Sequence, residues 1–237
     1  MKTPLLDLFL PRTCIVCGRT LLLQEREICI YCLSDLPLTY NWLLTHHPMA
    51  DRFNAMIQRD LPSAEYEPYA YAAALFRFSS LALYRRIPYA LKYSGNLSGG
   101  RFFAEMLGRF LSEAPHLKDA DLVIPVPLHF LRRWRRGYNQ AEILARGIAS
   151  VLQVPCRADL LVRSRRTGTQ IRKAVEEKKK NVSGAFSLRR PLPEGVRHIL
   201  LVDDVFTTGA TLNACYRVIR EAYPAVRISV ATLSVVG

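Results

Sequence analysis

Two groups of residues in this chain have types and spacings that can do chemistry. Cys14-Ile-Val-Cys17 and Cys29-Ile-Tyr-Cys32 are two CxxC pairs separated by eleven residues. Two tight turns of this kind can bring four thiolates, from Cys14, Cys17, Cys29 and Cys32, around one tetrahedral Zn²⁺ at about 2.3 Å. Four thiolates leave no coordination position for water, so such an ion is structural. Two disulfides or four buried thiols are the other readings of the same cysteines. The second group lies in Ile199-Leu-Leu-Val-Asp-Asp-Val-Phe-Thr-Thr-Gly-Ala-Thr-Leu212. There an apolar strand delivers two carboxylates to its end, and a turn of small residues leads straight into an amphipathic helix. Thr207, Thr208, Gly209, Ala210 and Thr211 would aim backbone N–H groups and hydroxyls into one concavity at the positive end of that helix, which suits a phosphate monoester. Asp203 and Asp204 would repel that phosphate but can accept hydrogen bonds from vicinal ribose hydroxyls. The expected ligand is a ribose 5-phosphate moiety. The segment is neither a P-loop, which needs GK[ST], nor a GxGxxG dinucleotide turn.

These residues need a scaffold, and the hydrophobic pattern predicts one. Strands are expected at Asp121–Val126, Asp159–Val162, His198–Asp203 and Val226–Val235, with helices at Asn139–Leu152 and Gly209–Tyr223. Apolar strands alternating with helices indicate a buried, mostly parallel sheet flanked by helices, whose ligands bind beyond the carboxyl ends of the strands. Upstream, Tyr69–Phe78 reads as a strand, Leu81–Tyr93 and Leu97–Leu111 as helices, and Trp42–Ile57 as a weakly periodic helical stretch. His46 and His47 fall in that stretch and are expected at the surface, since four cysteines already complete a zinc shell. Cys156 and Cys215 stand alone and are expected in the core.

The 237 residues suffice for one α/β domain with a small appendage. Half are hydrophobic and 22% charged, which excludes a disordered, collagenous or coiled-coil chain. The net charge of +13 favours a polyanionic partner, and 14 basic against 4 acidic residues fall between Leu128 and Lys180. No apolar run approaches the roughly 18 residues of a membrane span. The opening MKTPLLDLFLPR, interrupted by Asp7 and Pro11, is unlike a signal-peptide core. No membrane insertion and a cytoplasmic location are therefore expected. In that reducing compartment closely spaced cysteines favour metal over disulfides.

The run VDDVFTTGAT resembles the phosphoribosyl pyrophosphate (PRPP) signature of type I phosphoribosyltransferases. Asp121-Leu-Val-Ile-Pro-Val-Pro127 resembles their strand and pyrophosphate loop. With the cysteine module, Arg132-Arg-Trp-Arg-Arg-Gly-Tyr-Asn-Gln-Ala141 is similar to the ComF family of competence proteins, as are Ala90-Leu-Lys-Tyr-Ser-Gly95, Thr169-Gln170, Asn181-Val182 and Ala185-Phe186. The resemblance implies a type I phosphoribosyltransferase-like fold over 69–237, preceded by a zinc module at 1–36 and a linking helical segment at 37–68. It implies that Asp203 and Asp204 hold the ribose hydroxyls, Thr207 to Thr211 the 5-phosphate, and Val126 and Pro127 the pyrophosphate, with Mg²⁺ on the ligand's pyrophosphate. It also implies a hood loop carrying Thr169 and Gln170.

Transfer at ribose C1 requires cations on the leaving pyrophosphate and exclusion of water. Arg132, Arg133, Arg135, Arg136 and Lys92 are the candidates, Arg136 and Lys92 foremost because the family patterns include them. A solvated basic face is the alternative. Asn139 and Gln140 either cap the following helix or orient the loop against ligand. The family is linked to uptake of single-stranded DNA in natural transformation, and in some bacteria to use of DNA as nutrient, which implies PRPP, single-stranded DNA and a competence helicase as partners. Arg132, Arg133, Trp134, Arg135 and Tyr138 interleave cations with aromatics as a single-strand surface does, although Trp134 can equally anchor its loop. A metabolic phosphoribosyltransferase with another acceptor, and a non-catalytic nucleic-acid platform, are the competing functions.

Overall fold

The computed structural model describes residues 11–61, 67–163 and 185–236. Its centre is a four-stranded, fully parallel sheet in the order β1-β6-β5-β2, built from β1 (Ala72–Phe78), β2 (Leu122–Pro125), β5 (His198–Phe206) and β6 (Arg227–Val236). Strands this apolar must be covered on both faces, and side-chain alternation divides the core accordingly. Leu122, Ile124, Ile199, Leu201, Ile228 and Val230 point to one face, under α2 (Pro48–Asp60) and α7 (Ala210–Ala222). Val123, Leu200, Val202, Ala231 and Leu233 point to the other, under α4 (Leu97–Glu113) and α6 (Gln140–Leu152). Helices α4 and α6 touch closely because Gly147 faces Ala104, where a Cβ would come within 2.5 Å of the alanine methyl.

The connection leaving β2 runs into α6 on one face, whereas that leaving β5 runs into α7 on the opposite face. Since β2 and β5 are neighbours, their carboxyl ends diverge and leave a crevice, the topological switch point of an open α/β sheet. Three further elements border it: α3 (Arg86–Tyr93), α5 (Phe130–Arg136), and a separate antiparallel pair of β3 (Leu161–Arg163) with β4 (Phe186–Leu188).

The cysteine segment adds a bridge between Thr13 and Thr20 and the short helix α1 (Ile30–Ser34). Val16, Leu21, Ile28 and Leu36 belong to the same buried cluster as Ile87 and Leu91 of α3 and Phe103 of α4. Arg86 Nη1 donates to the Val16 carbonyl at 2.8 Å.

Several local expectations are revised. Trp42 to Ile57 is not one helix: Trp42 sits in a single turn, stacked 4.4 Å from Phe110, and α2 starts only at Pro48. Proline at the first helical position lacks only an N–H that would have no partner there. For the same reason Pro88 falls in the first turn of α3, which begins at Arg86 rather than near Leu81. His47 is buried, not exposed: its Nδ1 accepts from Ala50 N and its Nε2 bonds the Ala72 carbonyl at 2.9 Å, while burial lowers its pKa. His46 is exposed, as expected. Cys215 is buried and Cys156 only half-buried against the core.

Candidate functional site

Strand β5 outruns its neighbour. The ladder with β2 ends at Pro125 opposite Val202, whereas that with β6 continues through Asp203 opposite Thr232. Asp203 and Asp204 therefore leave the core at the crevice. The turn after them is fixed by Gly209, in the left-handed region at φ 82°, where an added Cβ would meet the Phe206 ring at 2.8 Å. Only glycine satisfies both constraints. Arg52 of α2 braces the turn by donating to the Thr207 carbonyl at 3.3 Å. Gly209 is the N-cap of α7 and, having no side chain, makes no cap hydrogen bond of its own to the helix's first amides.

A cavity of about 330 Å³ lies in the crevice, lined by Lys92, Tyr93, Val126, Pro127, Leu128, Arg132, Arg136, Asn139, Gln140, Ala141, Arg163, Asp203, Asp204, Val205, Thr207 and Thr211. The fold thus brings together residues up to 119 positions apart in sequence, Lys92 to Thr211. Lys92 Nζ lies 2.9 Å from Asp204 Oδ2. Burial, with the Asp204 charge next in importance, pushes the Asp203 carboxyl up to about 8, while its Oδ1 accepts from Asp204 N at 2.8 Å. Across the crevice, Asn139 performs both duties open to it: its Oδ1 caps α6 at Ala141 N, and its Nδ2 donates to the Val126 carbonyl at 3.0 Å, tying the bend after β2 to the helix.

A second, outer cavity of about 680 Å³ adjoins the first, lined by Lys92, Tyr93, Gly95, Arg132, Arg135, Arg136 and Tyr138. It carries four cations and no carboxylate among these lining residues. Arg136 stacks over Tyr93 at 5.5 Å, and Tyr138 donates its hydroxyl to the Leu91 carbonyl. Arg133 turns away to Glu142 at 3.8 Å. Trp134 is 84% exposed, so it anchors nothing. Thr208, Gly209 and Ala210 form the turn without lining either cavity, and the Thr208 hydroxyl accepts from Ala210 N at 3.4 Å. Thr169 and Gln170 lie outside the described residues. Sequence reasoning overlooked Tyr93, although the quoted run Ala90–Gly95 contains it, and the short helix α5, whose arginines read as a loop.

The four cysteines converge as their spacing requires. Their Sγ atoms all lie within 4.8 Å of one another, with Cys17 Sγ 3.8 Å from Cys29 Sγ. A tetrahedron with bonds of about 2.3 Å has edges of about 3.8 Å, so the donor set fits a metal ion. Burial raises the Cys14 thiol, but backbone N–H donors from Cys17, Cys29 and Val16 outweigh it and bring the group down to about 7. One of them, Cys29 N, donates to Cys14 Sγ at 3.4 Å.

Residues 136–235 match the family model described as the phosphoribosyl transferase domain. With the parallel sheet and flanking helices, this makes the fold phosphoribosyltransferase-like. The chain is 40% identical to competence protein F of Haemophilus influenzae over 106 residues, 44% of this chain and 46% of the relative. It is 38% identical to DNA utilization protein YhgH of Escherichia coli K12 over 96 residues, 40% of this chain and 41% of the relative. The matched stretch thus spans under half the length of either relative. The motif resemblance to competence proteins accordingly holds. Among solved structures, glutamine PRPP amidotransferase of Bacillus subtilis superimposes with a TM-score of 0.37 at 21% identity, over 57% of this chain and 26% of that one. No helix among the described residues is long and apolar enough to cross a membrane.

Proposed function

We propose that the inner cavity binds PRPP with Mg²⁺. Asp203 and Asp204 accept from the ribose hydroxyls, the Thr207–Thr211 turn receives the 5-phosphate, and the bend at Val126 and Pro127 faces the diphosphate with Lys92 and Arg136. The observation that carries this reading is the convergence of a carboxylate pair, a glycine-fixed turn at a helix N-terminus and several cations, one of them paired with Asp204, in one cavity. Mg²⁺ would neutralise the diphosphate alongside the basic side chains. In a transfer, the C1–O bond breaks, its electron pair leaves with diphosphate, and the acceptor's bond forms at C1. Arg136 and Lys92 stabilise the charge on the leaving group, and the carboxylates hold the sugar and favour its developing positive charge. The four cysteines hold a structural Zn²⁺.

The outer cavity and the exposed Trp134 favour single-stranded DNA as the polyanion that meets this site, with phosphates on Arg132 and Arg135 and bases on Trp134 and Tyr93. The names of the relatives, competence and DNA utilization, support a role in DNA uptake or processing. That role belongs to the cytoplasm, where a competence helicase delivers or receives the strand.

Titrating PRPP and Mg²⁺ calorimetrically into the wild type and into an Asp203→Asn, Asp204→Asn double variant tests the first reading. Binding to the wild type that disappears in the variant is expected; a wild type that binds no PRPP overturns it. For the second, oligonucleotide affinity is expected to fall steeply with log[salt] and to drop in Trp134→Ala.

A further inference from the structure

Gln140 opens α6 and is 2% exposed, yet its Nε2 has no hydrogen-bond partner among the described residues. Buried amide donors are almost always paired, and leaving one without a partner destabilises the protein. Gln140 is one of the residues that line the inner cavity, with its Nε2 buried at the cavity's α6 edge. The terminal torsion of glutamine is broad and weakly restrained, so an amide that nothing holds is free to turn its N–H groups towards a ligand there. Asn139 beside it is fully engaged by the Val126 carbonyl and Ala141 N, so capping is already accomplished without Gln140.

Resting on the PRPP reading above, we infer that the side-chain amide of Gln140 is a binding group for the diphosphate carried on C1 of the bound sugar. The opposite wall supplies everything the ribose and its 5-phosphate need, through Asp203, Asp204 and the turn after β5. What projects across the gap towards α6 and the bend after β2 is the C1 substituent. Arg132 and Arg136 of α5, the helix that follows this bend, call for an anionic substituent there. A neutral amide N–H adds a further directional contact to a diphosphate oxygen beside the charge-assisted bonds of the arginines.

The test titrates PRPP, ribose 5-phosphate and inorganic diphosphate, each with Mg²⁺, into the wild type, Gln140→Met and Gln140→Glu, with the thermal midpoint of each free protein. Gln140→Met keeps the length and removes the donors. The expected result is a loss of about tenfold or more in affinity for PRPP and diphosphate, no change for ribose 5-phosphate, and a midpoint equal to or above the wild type's. Gln140→Glu is expected to lose more, by repulsion. Unchanged PRPP and diphosphate affinity in Gln140→Met overturns the assignment, as does an equal loss for all three ligands with a lowered midpoint, which marks a structural role. A wild type that binds diphosphate but neither PRPP nor ribose 5-phosphate overturns the sugar site while the diphosphate arm still decides for or against Gln140.

Discussion

Lys92 Nζ sits 2.9 Å from Asp204 Oδ2, so the last turn of α3 closes directly onto the end of β5. Two adjacent carboxylates share this one ammonium, and the pair divides unequally. Asp204 has the cation at hydrogen-bonding distance, whereas Asp203, packed below it, is held up to about 8 by burial and by its neighbour's charge.

A carboxyl raised in the folded state binds a proton that the unfolded chain has already lost. Its contribution is therefore full below the unfolded value near 4 and declines as pH rises towards 8. The Asp203→Asn variant removes that penalty. Its thermal midpoint is expected to exceed the wild type's, with a gap that widens from pH 5 to pH 8.5 in parallel melts. Ligand hydroxyls are better accepted by the ionised carboxylate, so PRPP affinity in the wild type should increase from pH 6.5 to 8.5 more than in Asp203→Asn. Equal slopes would place the proton elsewhere.

Gly209→Ala combines two penalties at one atom. The new Cβ meets the ring of Phe206, itself fully buried against Phe53, and the backbone stays at φ 82°. A loss of about 2–4 kcal/mol in denaturant unfolding is expected, together with loss of phosphoribosyl ligand binding as the turn shifts. A fully stable variant that fails only to bind would mean that the turn relaxes without cost to the core.

Much of this arrangement was legible because it depends on local pattern. The β5 strand, the turn and α7 are contiguous, so residue type alone marks them, and the CxxC pairs specify their own convergence. What was not legible depends on distance. The run Leu131–Arg136 shows no apolar period because α5 buries none of its residues, and periodicity is the signal by which helices are read. His47 looked like a surface histidine because its partner, the Ala72 carbonyl, lies 25 residues away. Gln140 and Asn139 are indistinguishable as helix-opening amides until the Val126 carbonyl is seen to take one and leave the other without a partner.

Metal removal is expected to reach beyond the cysteines. Val16 lies between two of the ligands, its side chain shares a buried cluster with Ile87 and Leu91, and its carbonyl holds Arg86 at the start of α3. The last turn of that helix carries Lys92, at the ligand cavity. Chelation should lower the thermal midpoint by several degrees and weaken PRPP binding, with Arg86→Met reproducing the second effect more than the first. An unchanged midpoint after verified metal loss would count against a structural ion.

At the opposite, amino ends of the strands, Asp119, His198 and Ser229 form a relay of hydrolase-like appearance. His198 Nδ1 is 3.1 Å from Asp119 Oδ1, and its Nε2 is 2.8 Å from Ser229 Oγ. Ser229 is fully buried, so no substrate reaches it, and Arg227 also bonds both His198 and Asp119. The relay is therefore a clasp that fastens β5 to β6 and to the Asp119–Asp121 approach to β2, where Asp121 receives the His198 backbone N–H. Burial first, then the Arg227 charge, keeps the imidazole below its ordinary pKa against the pull of Asp119 and Asp121. A depressed histidine binds fewer protons folded than unfolded, so its neutral-state stability is present above the unfolded value near 6.5 and is lost as pH falls. His198→Ala should cost about 1–3 kcal/mol at pH 7.5, a deficit that narrows towards pH 5 because only the wild type loses the clasp on acidification. PRPP affinity should stay within twofold, since five positions along β5 separate His198 from Asp203; a large loss of binding would instead mean that strand register at the carboxyl end depends on the clasp.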